Sequence, residues 1–307
     1  MKTSKNFNFL SILRGVKMPQ NILFCFGYGY SASALTKTLR SNKWIVKGTK
    51  RDKLFQNKNF RQILIFNGDN PIPKFEELLS NVTHLLVSIP PTAIGDPVLS
   101  IHGKEISNAK NLKWIGYLST TGVYGDSQGK HVDEKYQCNP TNMRSKRRLH
   151  AEKEWLQLFS DFHLPVHIFR LAGIYGPGRS AIESVRSGRA KRINVPGHQF
   201  SRIHVDDIAS VLKASIKDPN PGCIYNVCDN ESAASSDVTL YACELLGLSP
   251  PPLINLQDAE LSPMARSFYN DNRRVDNKRI REELKVELKY PTYREGLKSI
   301  IETQKKK

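Results

Sequence analysis

The segment Asn21 to Leu39, NILFCFGYGYSASALTKTL, passes from an apolar stretch through two closely spaced glycines into apolar residues at helical spacing. That order reads as strand, turn and helix, and few folds begin that way. Gly27-Tyr28-Gly29-Tyr30-Ser31-Ala32 fills the pattern G-x-G-x-x-(G/A). The first glycine permits the tight turn, the second lets a pyrophosphate approach the backbone, and the small last residue lets the helix pack closely on the strand. The helix start, at Tyr30 and Ser31, offers N–H groups and the positive end of its dipole to phosphates. The segment predicts a dinucleotide site; the alternative is a tight turn with nothing bound.

The rest of the chain supplies the matching architecture. Strands are expected at Trp44 to Arg51, Gln62 to Asp69, Thr83 to Pro91, Lys113 to Gly125 and Pro165 to Arg179, separated by helical patterning that is clearest from Met143 to Phe159. Strands alternating with helices imply right-handed crossovers and a parallel sheet covered on both faces. After Arg179 short elements dominate; a helix is expected over Arg202 to Ile216, a strand over Cys223 to Asp229, and two or three helices beyond Ser236. The expected fold is α/β, a doubly wound Rossmann-type sheet with a smaller C-terminal substrate lobe. The expected domains are a dinucleotide-binding unit at 18–179, to which 202–229 returns, and a lobe from 180–201 and 230–304. Residues 1–17, with four basic and no acidic side chains, read as a leader or as an extension before an alternative start at Met18.

Composition narrows the function classes. A net charge of +17 invites a nucleic-acid reading, but the cations are mostly spread out. The dense runs, RSKRR (Arg144 to Arg148), RAKR (Arg189 to Arg192) and Lys305 to Lys307, belong to no recognisable nucleic-acid fold. A small-molecule substrate and no nucleic acid are therefore expected. No run of about 18 apolar residues occurs, so no membrane span is expected. Five cysteines without zinc-type spacing read as reduced thiols of a cytoplasmic protein with no metal.

At the end of the second strand an acidic residue would hold a ribose 2′-hydroxyl. The chain has Thr49-Lys50-Arg51 there, and basic side chains suit a 2′-phosphate, so NADP is expected over NAD. Lys50 and Arg51 could equally be solvated turn residues, and Asp69 could touch the adenine or cap the next segment.

Together, GYGYSA, LSTTGVYG (Leu118 to Gly125), VDE (Val132 to Glu134) with Pro140, RLAGIYGPGR (Arg170 to Arg179) and RIHVDDIA (Arg202 to Ala209) resemble the extended, epimerase/dehydratase-like branch of the short-chain dehydrogenase/reductases. The resemblance runs from about Met18 to Ile301. It implies oxidoreduction or an epimerase/dehydratase step, and a catalytic set of Ser or Thr, Tyr and Lys. The tyrosine moves a proton while the nicotinamide exchanges hydride, and the lysine lowers the tyrosine pKa and binds the nicotinamide ribose. The hydroxyl position falls on Thr120. In the family's register Pro140 and Glu152 match the ends of a pattern whose tyrosine and lysine positions hold Arg144 and Arg148. No tyrosine in the chain is followed four residues later by lysine.

Arg148 can still hold a ribose hydroxyl or phosphate. Arg144 cannot replace the tyrosine as proton donor, since a guanidinium pKa exceeds about 12, but it could clamp an anion. Arg144, Lys146 and Arg147 could also be the solvated face of a long helix. By position, the resemblance sets Ser88, Ile89 and Pro90 beside the adenosine ribose, Leu171, Gly173 and Ile174 beside the nicotinamide, and Ser119 among the cofactor contacts. Tyr124, Tyr175, Arg179 and Arg202 are assigned to the substrate, Arg202 and Arg179 with His204 in a cleft over the sheet edge. Arg144, Arg148, Arg179 and Arg202 together suggest an anionic, sugar-like substrate. Tyr30, Ser119, Thr121, Tyr124, His150 and Tyr175 are the remaining acid-base candidates, His150 without a visible partner. The resemblance also implies a homodimer through the helices flanking the fifth strand, against which the charge of RSKRR works. The alternative is a silent NADP-binding redox sensor or regulatory protein.

Overall fold

A computed structural model describes residues 21–39, 43–51 and 63–305. The expected leader, the start at Met18 and Gln62 lie outside these residues.

The first half of the chain forms β1 (Asn21–Phe26), α1 (Tyr30–Thr38), β2 (Trp44–Lys50), β3 (Ile63–Ile65), α2 (Phe75–Leu79), β4 (His84–Val87), α3 (Pro97–Ser107) and β5 (Trp114–Thr120). A 3-10 turn (Thr121–Tyr124), β6 (His131–Val132), α4 (Met143–Phe162), β7 (Val166–Leu171), β8 (Gly173–Tyr175), α5 (Ala181–Arg186) and β9 (Arg192–Asn194) follow. Next come β10 (Arg202–His204), α6 (Val205–Lys217), β11 (Ile224–Val227), α7 (Ser235–Leu246) and β12 (Leu253–Asn255). The chain closes with α8 (Pro263–Ser267), β13 (Arg274–Val275), α9 (Lys278–Glu282) and α10 (Tyr293–Lys305).

Seven strands make the parallel sheet, in the order β11-β7-β5-β4-β1-β2-β3, so the expected doubly wound fold forms. Alternation along β1 explains its two-sided burial. Leu23 and Cys25 join a core shared with Leu35 of α1 and Ile208, Val211 and Leu212 of α6, whereas Phe24 and Phe26 enter one shared with Phe75, Val98 and Trp155. An edgewise set of rings, Phe24 on Phe26 and Phe26 on Phe66, fills the second layer. Burying one such ring contributes about 1.5–3 kcal/mol, which is why a fully apolar strand belongs at the centre. A third core gathers Ile182 of α5, Val238 and Ala242 of α7, and Tyr293, Leu297 and Ile300 of α10.

The strand order reverses between β1 and β4, and in open α/β sheets the crevice at such a switch point takes ligands. The register Phe26↔Val87 brings Gly27 beside Ser88 at that point, and Thr120↔Leu171 sets the ends of β5 and β7 side by side.

Three sequence expectations are corrected. The sixth expected strand, Pro165 to Arg179, divides: Ala172 N donates to Val227 O, but Gly173 N donates to Ser201 O, so the chain leaves the sheet and β8 pairs with β10. The helix expected from Arg202 starts at Val205, because Arg202–His204 is that partner strand and the His204 ring accepts from Asp206 N as the helix cap. The described tail holds four α-helices, α7 to α10, where two or three were expected. Two of them, α8 and α9, are five residues each, too short to show a helical period.

Candidate functional site

The β1–α1 turn is built by its neighbours. Gly27 has φ +83°, and a Cβ on it would lie 2.7 Å from Ser88 Oγ and 3.0 Å from Ile89 Cγ1. Ser88 Oγ donates to the carbonyls of Gly27 at 2.5 Å and Phe26 at 3.2 Å. From the other side Gly27 N donates to the buried Thr49 hydroxyl at 3.0 Å, and Tyr28 N to Thr49 O at 2.8 Å. Thr49 therefore supports the turn from beneath. Above Gly29 the space is open: a Cβ there would meet only Gly27 O, at 3.9 Å. Gly29 also caps α1 without any side-chain bond, so first-turn amides face a gap that suits a phosphate. Ser31 and Ala32 are buried against the sheet, as the close packing requires. This cradle fits the pyrophosphate of a dinucleotide.

Gly27→Ala is expected to lower stability by ~1–2 kcal/mol for the left-handed backbone alone. Urea denaturation measures it, and an unchanged midpoint would mean that the turn does not need its glycine.

Beside the cradle, Arg51 is exposed and Lys50 half-buried, its pKa lowered by desolvation. Asp69 is exposed and bonds locally, accepting from Asn67 Nδ2 at 2.8 Å. Tyr30 reaches across the mouth, donating to Pro177 O at 3.0 Å. Burial, partly offset by the charge of Arg179, pushes its phenol up to about 12. Arg179 itself is exposed. Ile89 and Ile174 are half-buried, Pro90 and Gly173 exposed, and Leu171 is in the core.

On β5, Thr120 Oγ1 accepts from Gly122 N at 3.1 Å and so starts the 3-10 turn. The hydroxyl proton is left for another acceptor. Arg148 reaches from α4 to the sheet, its Nη1 donating to Leu118 O at 2.9 Å, the Tyr117 hydroxyl at 3.1 Å and Ile89 O at 3.5 Å. It ties the carboxyl ends of β4 and β5 together. Arg144, one turn earlier, is exposed and lies over the Phe268 ring at 4.8 Å.

Several assignments move. Tyr124, expected to meet substrate, is wholly buried, and its hydroxyl donates to Asn226 Oδ1 at 2.7 Å. Ser119, expected among the cofactor contacts, points inward to Glu152 Oε1. His150 has a partner after all, Glu154 at 3.7 Å one turn on. His204 is buried as the α6 cap, so it does not line an open cleft. Tyr175 and Arg202 line a lobe cavity of about 280 Å³ whose walls include none of Arg144, Arg148 and Arg179. The four arginines thus do not share that wall.

Beneath this shelf lies a network that the sequence reading did not connect. Arg170 makes a two-pronged bond to Glu152, with Nη2 to Oε2 at 2.8 Å and Nε to both oxygens at 3.2 Å. Burial alone would lower the Arg170 pKa; the hydrogen bonds and charge of Glu152 outweigh it and raise it. The guanidinium lies 4.8 Å over the Tyr124 ring, and Asn226 N donates to Glu134 Oε1 at 2.8 Å. Glu152 closes the register that starts at Pro140, and Arg170 opens RLAGIYGPGR, so both stood in motifs; their pairing across 18 residues did not. Phe268 left no sequence signal. Among the described residues no group of three or more His, Cys, Asp or Glu could hold a metal.

Residues 104–228 match the family model described as the NAD dependent epimerase/dehydratase family. A conserved protein of unknown function from Silicibacter pomeroyi DSS is 46% identical, with a TM-score of 0.85 over 92% of this chain and 99% of that one. Residues 104–228 thus carry a domain of the NAD dependent epimerase/dehydratase family. The dTDP-glucose 4,6-dehydratase of Bacillus anthracis, solved in complex with NAD, shares the family fold at 17% identity, with a TM-score of 0.73 over 94% of this chain and 97% of that one. Protein YeeZ of Escherichia coli K12 is 32% identical over 186 residues, which are 60% of this chain and 61% of YeeZ. That match spans less than two thirds of the relative's length. Arginines, at 144 and 148, stand at both positions where the resemblance implies a tyrosine and a lysine. Among the described residues no helix is long and apolar enough to cross a membrane.

Proposed function

We propose that the chain is an NADP-preferring enzyme, with NAD the weaker cofactor, carrying out an oxidoreductase or epimerase/dehydratase step on a small sugar-like substrate. The open amide cradle at Gly29, next to a strand end that carries Lys50 and Arg51, supports this reading most directly. Bound there, the cofactor would supply hydride exchange. Thr120 would hydrogen-bond the reacting oxygen through its hydroxyl, with no residue assigned as the proton donor, and Arg148 would keep β4 and β5 in register under the nicotinamide side. Residues 180–201 and 230–304 would form the substrate lobe, with the nucleotide unit at 18–179 and 202–229. A cytoplasmic place and a homodimer belong to the same proposal.

Side-by-side titration of NADPH and NADH tests it. Arg51→Glu is expected to weaken NADPH roughly 10- to 100-fold, the worth of one charge-assisted bond, and NADH much less. Equal loss for both, or binding of neither by the parent, would sink the assignment.

A second reading, a dinucleotide-binding sensor without turnover, is favoured by Phe268 lying on Arg144 where the family places its proton donor. Stereospecific hydride transfer from labelled NADPH into any substrate of a cell extract would eliminate it.

A further inference from the structure

The lobe cavity that Arg202 lines is half open and is bordered by α5, α7, α10 and the segment between α5 and β9. Arg189, Lys191 and Arg202 stand in its wall, with the hydroxyls of Ser184, Ser235 and Thr239, and the lining contains no Asp or Glu. Each cation is held by a neutral oxygen. Arg202 Nη1 donates to Phe200 O at 2.8 Å and Ala233 O at 2.9 Å, Arg189 Nε to Ser187 Oγ at 2.9 Å, and Lys191 Nζ to Glu260 O. None of the three forms a salt bridge with a described carboxylate. These bonds restrain the three side chains without neutralising them, an arrangement that favours an anion. Asp229, the acid whose charge acts most strongly on Arg202, is pushed up to about 8 by burial and so is mostly neutral at pH 7. Three cations and three hydroxyls around one cavity suit the multiple oxygens of a phosphate better than one carboxylate.

Size limits the ligand further. Pockets for drug-sized ligands begin at about 300 Å³, and this one is about 280 Å³. A nucleotide joined to a sugar would extend out of it, whereas a small phosphate ester is held within. We propose that the cavity is a second binding site, for a small phosphate monoester, apart from the dinucleotide cradle. The site does not depend on turnover, so its test stands whether or not the proposed reaction is right.

The test is titration calorimetry of the full chain with glucose 6-phosphate, inorganic phosphate, glucose and UDP-glucose, repeated in Arg189→Gln and Lys191→Gln. Both are exposed residues, so the fold should tolerate their neutralisation. Glucose 6-phosphate should bind, glucose should not, and each substitution should weaken the phosphate ester roughly tenfold while NADPH affinity is unchanged. No saturable binding of glucose 6-phosphate, or binding indifferent to both substitutions, would overturn the proposal. Parallel loss of NADPH would merge the cavity with the cofactor site and end its separate status. Inorganic phosphate binding as tightly as the ester would remove the ester assignment, and tighter binding of UDP-glucose would refute the size argument.

Discussion

Glu152→Ala is expected to destabilise the protein by about 3–5 kcal/mol, a large share of the roughly 5–15 kcal/mol that holds a domain folded. Glu152 is 1% exposed and Arg170 is 4% exposed, so removing the carboxylate leaves a buried guanidinium that water cannot reach. Arg170 Nη1 already lacks a partner within the structure, and the substitution would strip the bonds made by Nε and Nη2 as well. Ser119 would lose its acceptor in the same step. The paired variant Glu152→Leu with Arg170→Met should recover most of the loss, because an apolar pair of similar volume avoids the desolvation that the ion pair carries. Urea denaturation of the parent, the single variant and the double variant checks this. A single-variant loss under about 1 kcal/mol, or a double variant as weak as the single, would mean that the pair does not act as a buried unit.

That network also marks where sequence reading ended. The Gly27 turn is legible because its demands are local: a positive φ, a nearby amide-rich helix start and a small residue at Ala32 are all specified within six positions. The strands at β1, β4 and β5 are legible because two-sided burial leaves an unbroken apolar run. Arg148 is different. Its position follows from the Pro140 and Glu152 register, but its work of bonding Leu118 O and Ile89 O depends on α4 lying across two strands. Tyr124 stood in VYG as a substrate contact and acid-base candidate, and only its buried contact with Arg170 and Asn226 shows that it packs instead. The split of the sixth strand turns on one amide, Gly173 N, choosing Ser201 O, a partner 28 residues away that no periodicity announces.

Asp229→Asn is expected to make the protein more stable at pH 9 by on the order of 5 kcal/mol, and to leave it nearly unchanged near pH 4. Asp229 is 4% exposed, its Oδ2 has no partner, and burial raises its pKa from 3.8 to about 8 despite the Glu231 amide and the charge of Arg202. Between those values the folded protein holds a proton that the unfolded chain releases. Stability from this group is therefore complete below pH 3.8 and declines as pH rises towards about 8. His84, His167 and His204 pull the other way, since burial lowers each from 6.5 to about 4 and stability rises with pH over that interval. Parent and variant share those histidines, so the difference between their curves isolates Asp229, most cleanly above pH 6.5. Asparagine keeps an oxygen for the Glu231 amide and matches the shape of the protonated acid, which leaves charge as the main change. Melting curves of both proteins from pH 6 to 9 decide it: the parent's melting temperature should fall across that range while the variant's stays level, and parallel curves would show that Asp229 ionises in the folded protein as it does in water.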